Sequence, residues 1–268
     1  MSWLDALLLG LVEGITEFLP ISSTGHLILT RSLLGLSGAA VDRHLIVIQG
    51  AAILAVCWEY RVRLWHTLWS LRSDGRARRF AVNVFLAFIP LAVLGLLFEH
   101  QIKALLFAPI PVALALVIGG LIILWAERRR HVVSMPEVDD LTAAGALKVG
   151  CVQALALIPG TSRAAASIIG GLFIGMSRRA ATEFSFFVAI PTLLAATAYS
   201  LWEERHMLSL AEGEPLVISS VVAFASALLS IRFLLRFVSR HSFAVFAWYR
   251  IAFGVAVLAT WALGWVAW

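Results

Sequence analysis

The sequence predicts an all-α integral membrane protein, with about six transmembrane helices and two re-entrant helical hairpins arranged as an inverted repeat. Three observations carry this prediction. Hydrophobic residues fill 61% of the 268 positions and charged residues only 14%, with a mean hydropathy of +0.92. A soluble domain carries about 25% charged residues. Six apolar stretches approach the roughly 20 residues that a spanning helix needs. Two further apolar regions are each interrupted near their middle by proline. A transmembrane barrel would show short alternating segments instead.

The six full spans are expected at 44–60, 80–98, 105–126, 178–201, 216–235 and 242–266. The interrupted regions are 3–20 with 22–36, broken at Pro20, and 148–158 with 162–176, broken at Pro159-Gly160. A helix of about 15 residues reaches only about 22 Å at 1.5 Å per residue, short of a hydrocarbon core about 30 Å thick. Such halves read as hairpins that enter and leave on one side. Irregular backbone at their tips needs burial in protein or a watery cavity. The breaks match each other: Gly10-Leu-Val-Glu13 leads to Pro20-Ile-Ser-Ser23, and Gly150-Cys-Val-Gln153 leads to Pro159-Gly-Thr-Ser162. Each is followed by three spans, and an odd number inverts the second half against the first. One transmembrane domain, 1–268, is therefore expected, with pseudo-repeats of approximately 1–131 and 140–268. Broken helices meeting in inverted repeats form the binding sites of many transporters.

Charge orients the chain. Loop 61–79 carries six arginines, and Arg128, Arg129, Arg130 and Lys148 lie in 127–148. The connections 99–104 and 202–215 hold only Lys103 and Arg205 beside five glutamates. The positive-inside rule places the first set in the cytoplasm and both chain ends outside. The net charge of +5 thus belongs to loops that meet lipid headgroups, and nucleic acid is not an expected partner. Cys57 and Cys151 sit in apolar surroundings without metal spacing, which argues against a disulfide or zinc site. Met1-Ser-Trp-Leu-Asp5 lacks the basic start of a cleaved signal peptide, so the first apolar segment is expected to stay. The tryptophans, among them Trp58, Trp65, Trp69, Trp125 and Trp202, fit interfacial belts.

Three groups of residues carry chemistry. Glu13 and Glu17 lie four apart on one helix face in an apolar segment. An ionised group at bilayer depth costs about 2.5–3.5 kcal/mol on insertion scales, so a divalent cation, an arginine or protonation must compensate, unless both carboxylates are solvated at the outer interface. Ser22-Ser23-Thr24-Gly25-His26 follows Pro20. Serine and threonine there cap the next helix, and a helix N-terminus at such a tip also suits an anion. His26, three residues after Ser23, can share its side. Pro159-Gly160-Thr161-Ser162-Arg163 opens the second helix in the same way. Arg163 brings a permanent charge and a donor fork matched to phosphate oxygens. A purely structural pairing of Arg163 with Glu13 or Glu17 is the plainer reading.

These residues resemble the bacterial undecaprenyl-diphosphate phosphatase family, also called the bacitracin-resistance protein family. Glu13-Gly-Ile-Thr-Glu17-Phe-Leu-Pro-Ile-Ser-Ser23-Thr-Gly-His26 is similar to its acidic motif. Pro159-Gly-Thr-Ser162-Arg163-Ala-Ala-Ala-Ser167 is similar to its second motif, with Ala164 in place of a serine and Ser167 in place of a threonine. Thr182-Glu183-Phe184-Ser185-Phe186 and Tyr249-Arg250 also fit, whereas Leu45 stands where an acidic residue is expected ahead of Gln49. Lipid phosphatases of the acid-phosphatase type need a second histidine six residues after the arginine, and here that position is Ile169.

The resemblance implies hydrolysis of undecaprenyl diphosphate to the monophosphate, recycling the lipid carrier of cell-wall synthesis at the outer face of the bacterial inner membrane. It also implies a divalent cation, Mg or Ca, which Glu13 and Glu17 would hold. Ser23 or His26 would attack the terminal phosphorus, Ser23 being favoured, with Glu17 and Arg163 as catalytic partners. Ser22, Thr24, Thr161, Ser162 and Ser167 would position phosphate oxygens. Membrane lipid surrounds the chain, and a homodimer is compatible with the sequence. The rival is an inverted-repeat transporter or lipid-phosphate flippase, which needs no nucleophile beside an acidic pair.

Overall fold

The computed structural model describes residues 1–106, 108–129, 132–203 and 213–265, without the side chains of 99, 100, 103–106 and 203. The acidic connection expected over 202–215 thus falls mostly outside the described residues, as do Arg130, Arg205 and the side chains of Glu99 and Lys103.

Among the described residues the regular structure is all helical, with no named strand. In chain order it comprises α1 (Trp3–Thr16), α2 (Ser23–Leu33), α3 (Ala39–Glu59), α4 (Arg61–Ser70), α5 (Gly75–Leu106), α6 (Pro109–Arg128), α7 (Ala143–Gln153), α8 (Arg163–Phe173), α9 (Arg178–Glu203), α10 (Gly213–Val238) and α11 (Ala244–Ala262). Six of these, α3, α5, α6, α9, α10 and α11, are long and apolar enough to cross a membrane. The chain is a multi-pass membrane protein.

Local chemistry explains the ends. A reciprocal cap opens α1: Asp5 N–H donates to Ser2 Oγ at 3.2 Å and Ser2 N–H donates to Asp5 Oδ2 at 2.7 Å. Pro109 opens α6, where its missing N–H costs nothing. Proline also stops helices, and earlier than the sequence suggested. α1 ends at Thr16 rather than at Pro20, and α7 ends at Gln153, continued by a 3₁₀ turn over Ala154–Leu157. Proline turns the residue before it away from helical conformation, and Ile158 ahead of Pro159 is extended (ψ 116°). Pro90 and Pro191, by contrast, stay within continuous helices. The basic stretch 61–79, expected as a loop, contains α4. Val62, Trp65, Leu68 and Trp69 recur at helical spacing on it and are exposed, the pattern of a helix lying in a membrane interface.

The packing exchanges between the two halves. α1 packs on α10, and α7 on α5; α3 packs on α10, and α9 on α5; α6 meets α11, and α3 meets α9. Corresponding glycines make two of these approaches possible. A Cβ on Gly10 would stand 2.4 Å from Ser219 O, and one on Gly150 would stand 2.5 Å from Ala87 O. Behind the first break the core is aromatic, with Phe18 and Phe186 edge to face at 5.7 Å.

Candidate active site

The two breaks share one unusual backbone. Ser22 (φ 73°, ψ 94°) and Ser162 (φ 70°, ψ 116°) are the non-glycine residues with positive φ among those described, and each stands immediately before a helix, α2 and α8. Such strain costs of order 1–3 kcal/mol per residue and persists only where surroundings fix it. Arg250 of α11 is a large part of those surroundings. Fully buried, it donates to Pro20 O at 3.3 Å and Gly160 O at 3.0 Å, and to Ala115 O and Leu116 O of α6 at 3.1 and 3.3 Å. One guanidinium therefore joins both tips to α6. Gly160 itself (φ 93°) leaves no room for a side chain, since a Cβ would lie 2.5 Å from Val112 O.

The pinned tips bring the acidic motif onto the second one. Ser23 Oγ donates to Glu17 Oε2 at 2.5 Å, and Arg163 Nη2 lies 3.5 Å from Glu17 Oε1. Arg163 Nη1 donates to Ser185 O of α9 at 3.0 Å. Glu17 and Arg163 thus form a nearly dry ion pair. Such a pair is weak evidence of stability by itself, because desolvation offsets most of the attraction. Glu13, one turn earlier, is fully buried with no hydrogen bond to either carboxylate oxygen. Of ten buried side-chain polar atoms without a hydrogen bond among the described residues, six belong to Glu13, Gln153 and Arg163. Each unsatisfied buried group costs about 1–3 kcal/mol, more where it is charged. All three residues lie within seven positions of Pro20 or Pro159.

The remaining predicted residues divide. Ser162 Oγ caps α8 by accepting from Ala165 N at 3.2 Å, and Ser22 is buried at the matching position. Thr24 and Thr161 lie half-buried at the two tips. Ser167 is buried, its hydroxyl within bonding distance of Arg163 O (2.9 Å), Ala164 O (3.2 Å) and Ser185 Oγ (2.7 Å), so it braces the turn that carries Arg163. His26 is engaged away from Ser23: Nδ1 lies 2.7 Å from Ser22 O, and Nε2 lies 2.7 Å from Tyr249 Oη. Phe253 stacks on its ring at 4.0 Å. The hydrogen-bond partner of Ser23 is Glu17.

Arg250, Tyr249 and Ser185 complete the surroundings, Gln153 ends α7 ahead of the second break, and none of the four stood among the predicted site residues. Arg250 carried a readable signal, being an arginine in an otherwise apolar span. Ser185 stood only within the Thr182–Phe186 stretch that fits the family, and its backbone carbonyl, which no side-chain pattern reveals, does part of the work.

A hard divalent cation fits this donor set. Glu13 and Glu17 offer carboxylate oxygens one helical turn apart, and Glu13's have no competing partner. No group of three or more His, Cys, Asp or Glu residues gathers among the described residues. Magnesium characteristically uses one or two carboxylates and takes its other ligands from water and substrate phosphates.

The whole chain has close relatives. Residues 6–256 match the family described as bacitracin resistance protein BacA. The chain is 58% identical to the undecaprenyl-diphosphatase of Nitrosospira multiformis, over 100% of this chain and 99% of that protein. Undecaprenyl-diphosphatase 2 of Rhodospirillum rubrum is 58% identical, over 99% and 97%. The undecaprenyl-diphosphatase of Dechloromonas aromatica is 55% identical, again over 99% and 97%. With motif order, fold and full-length similarity in agreement, the chain belongs to the bacitracin resistance protein BacA family.

Proposed function

We infer that this chain hydrolyses undecaprenyl diphosphate to undecaprenyl phosphate and inorganic phosphate, and so returns the lipid carrier to cell-wall synthesis. The observation that carries the reading is the hydrogen bond from Ser23 to Glu17, placed against Arg163 where two helix N-termini meet. Full-length relatives named undecaprenyl-diphosphatases support the substrate.

A serine hydroxyl is a weak nucleophile and needs an adjacent base. Glu17 is that base. As its carboxylate takes the proton, Ser23 Oγ bonds to the terminal phosphorus. The bond from that phosphorus to the bridging oxygen breaks, and undecaprenyl phosphate departs with the electron pair. Arg163 exchanges its contact with Glu17 for the phosphoryl oxygens, and the first N–H groups of α2 and α8 face the same charge. Glu17 passes that proton to the departing phosphate, then takes one from the water that attacks the phosphoserine. The bond from phosphorus to Ser23 Oγ breaks, Ser23 recovers the proton and phosphate leaves. A divalent cation held by Glu13 and Glu17 would supply further charge neutralisation. His26, tied to Ser22 O and Tyr249, holds the first turn of α2 in place.

The tips are read as re-entrant, reached from the outer face of the inner membrane, with the isoprenyl tail lying laterally among the apolar helices. The exchange-symmetric packing and the arginines of 61–79 support this arrangement.

Rapid quenching with substrate labelled in the terminal phosphate tests the chemistry. An acid-stable label that disappears in Ser23→Ala is expected. Acid-labile label that persists in Ser23→Ala and vanishes in His26→Ala would transfer the attack to His26. No label under any quench would leave direct attack by water, with Glu17 as its base. Loss of turnover in chelator, restored by a divalent cation, is the expected result for Glu13 and Glu17.

A further inference from the structure

We propose that Gln153 is a substrate-binding residue, whose side-chain amide donates a hydrogen bond to the diphosphate from the second hairpin. The inference rests on the phosphatase reading above and adds a residue to it. Gln153 is the last residue of α7 and is fully buried. Neither Nε2 nor Oε1 has a hydrogen-bond partner among the described residues. A protein interior rarely leaves both ends of an amide unsatisfied, because each end gives up water and receives nothing. One reason for an exception is another molecule that completes the bonding.

The register of the two hairpins says where that molecule sits. Nine residues separate Gln153 from Ser162, the positive-φ residue of the second break. Nine residues also separate Glu13 from Ser22, the positive-φ residue of the first. Three residues before each stands the glycine that lets its helix touch its partner, Gly150 against α5 and Gly10 against α10. Gln153 is thus the counterpart of Glu13, and both are buried with bare polar atoms. The difference between them is chemical. Glu13 offers only acceptors, which suit a cation. Gln153 keeps a neutral donor, which suits a phosphate oxygen and adds no charge to repel it. Arg163, the third residue with bare atoms, stands at the next helix start in the same hairpin. The second hairpin would then hold the anion from two sides.

Gln153→Leu and Gln153→Met remove the amide while keeping comparable bulk. Each purified variant is compared with wild type for melting temperature, for the rise in melting temperature on adding inorganic pyrophosphate, and for phosphate release from farnesyl diphosphate. Removal of a bare buried amide should leave melting unchanged or raised. The pyrophosphate-induced rise should shrink or vanish, and kcat/KM should fall at least tenfold, chiefly through KM. A kcat/KM within twofold of wild type overturns the proposal. So does a loss of activity accompanied by a full-sized pyrophosphate shift, since the amide would then act only through the fold. Should wild type itself release no phosphate, the phosphatase reading fails, and the pyrophosphate shift still decides whether Gln153 binds the anion.

Discussion

The two broken hairpins have the same backbone and opposite chemistry. α1 with α2 and α7 with α8 share a glycine at a close approach, a chain that unwinds ahead of proline, and a serine at positive φ before the next helix. Arg250 bonds to corresponding carbonyls in both, Pro20 O and Gly160 O. The side chains then diverge. The first hairpin presents Glu13, Glu17 and Ser23; the second presents Gln153, Leu157 and Arg163 at the same positions. One tip carries two carboxylates and a hydroxyl, the other an amide and a guanidinium. Their single ion pair, Glu17 with Arg163, is the seam between them. The comparison teaches that the scaffold and the chemistry can be perturbed separately.

The largest effect should come from the acidic side of that seam. Glu17→Gln keeps the shape and removes the base from Ser23, so kcat should fall by on the order of a thousandfold or more at any cation concentration. Turnover within tenfold of wild type would remove Glu17 from the chemistry and leave the first hairpin as a cation holder.

Arg163→Lys tests the other side. The charge survives but the fork is lost, and a lysine cannot meet both Ser185 O and the substrate. A drop of about a hundredfold in kcat/KM is expected, with melting close to wild type. Near-normal hydrolysis would make Arg163 only the neutralising partner of Glu17.

The shared scaffold should respond equally in both halves. Gly10→Ala and Gly150→Ala each force a methyl into a backbone carbonyl, which costs about 1–3 kcal/mol of overpacking. Thermal melting should show two similar losses. A large loss in one half and none in the other would break the correspondence between the hairpins.

The smallest effect is expected from Tyr249→Phe. It deletes one hydrogen bond to His26 and keeps the stack with Phe253. A net loss of about 1 kcal/mol in stability and a change of a few-fold in kcat fit a positioning histidine. A collapse of turnover would show that the protonation of His26 itself matters.

Much of this was legible before folding. The six spans needed only apolar length, and both breaks needed only proline, because these are local properties of a chain in a membrane. Glu13, Glu17, Ser23 and Arg163 stood out because polar residues in apolar segments demand a reason. α4 was missed because six arginines in 61–79 outweighed a short apolar stripe. The helix stops at Thr16 and Gln153 were missed because they fall four and six residues ahead of the prolines, where the sequence stays largely apolar.

Sequence by itself therefore determined the membrane class, the places where helices break and the residue types gathered at each break. Only the tertiary structure decided the pairings across 90 to 230 residues: Arg163 against Glu17, Tyr249 rather than Ser23 for His26, and Arg250 across both tips. The physical reason is reach. Hydropathy and proline act on the chain within a turn or two, whereas a hydrogen bond between hairpins exists only after long helices have packed and fixed the distance between their ends.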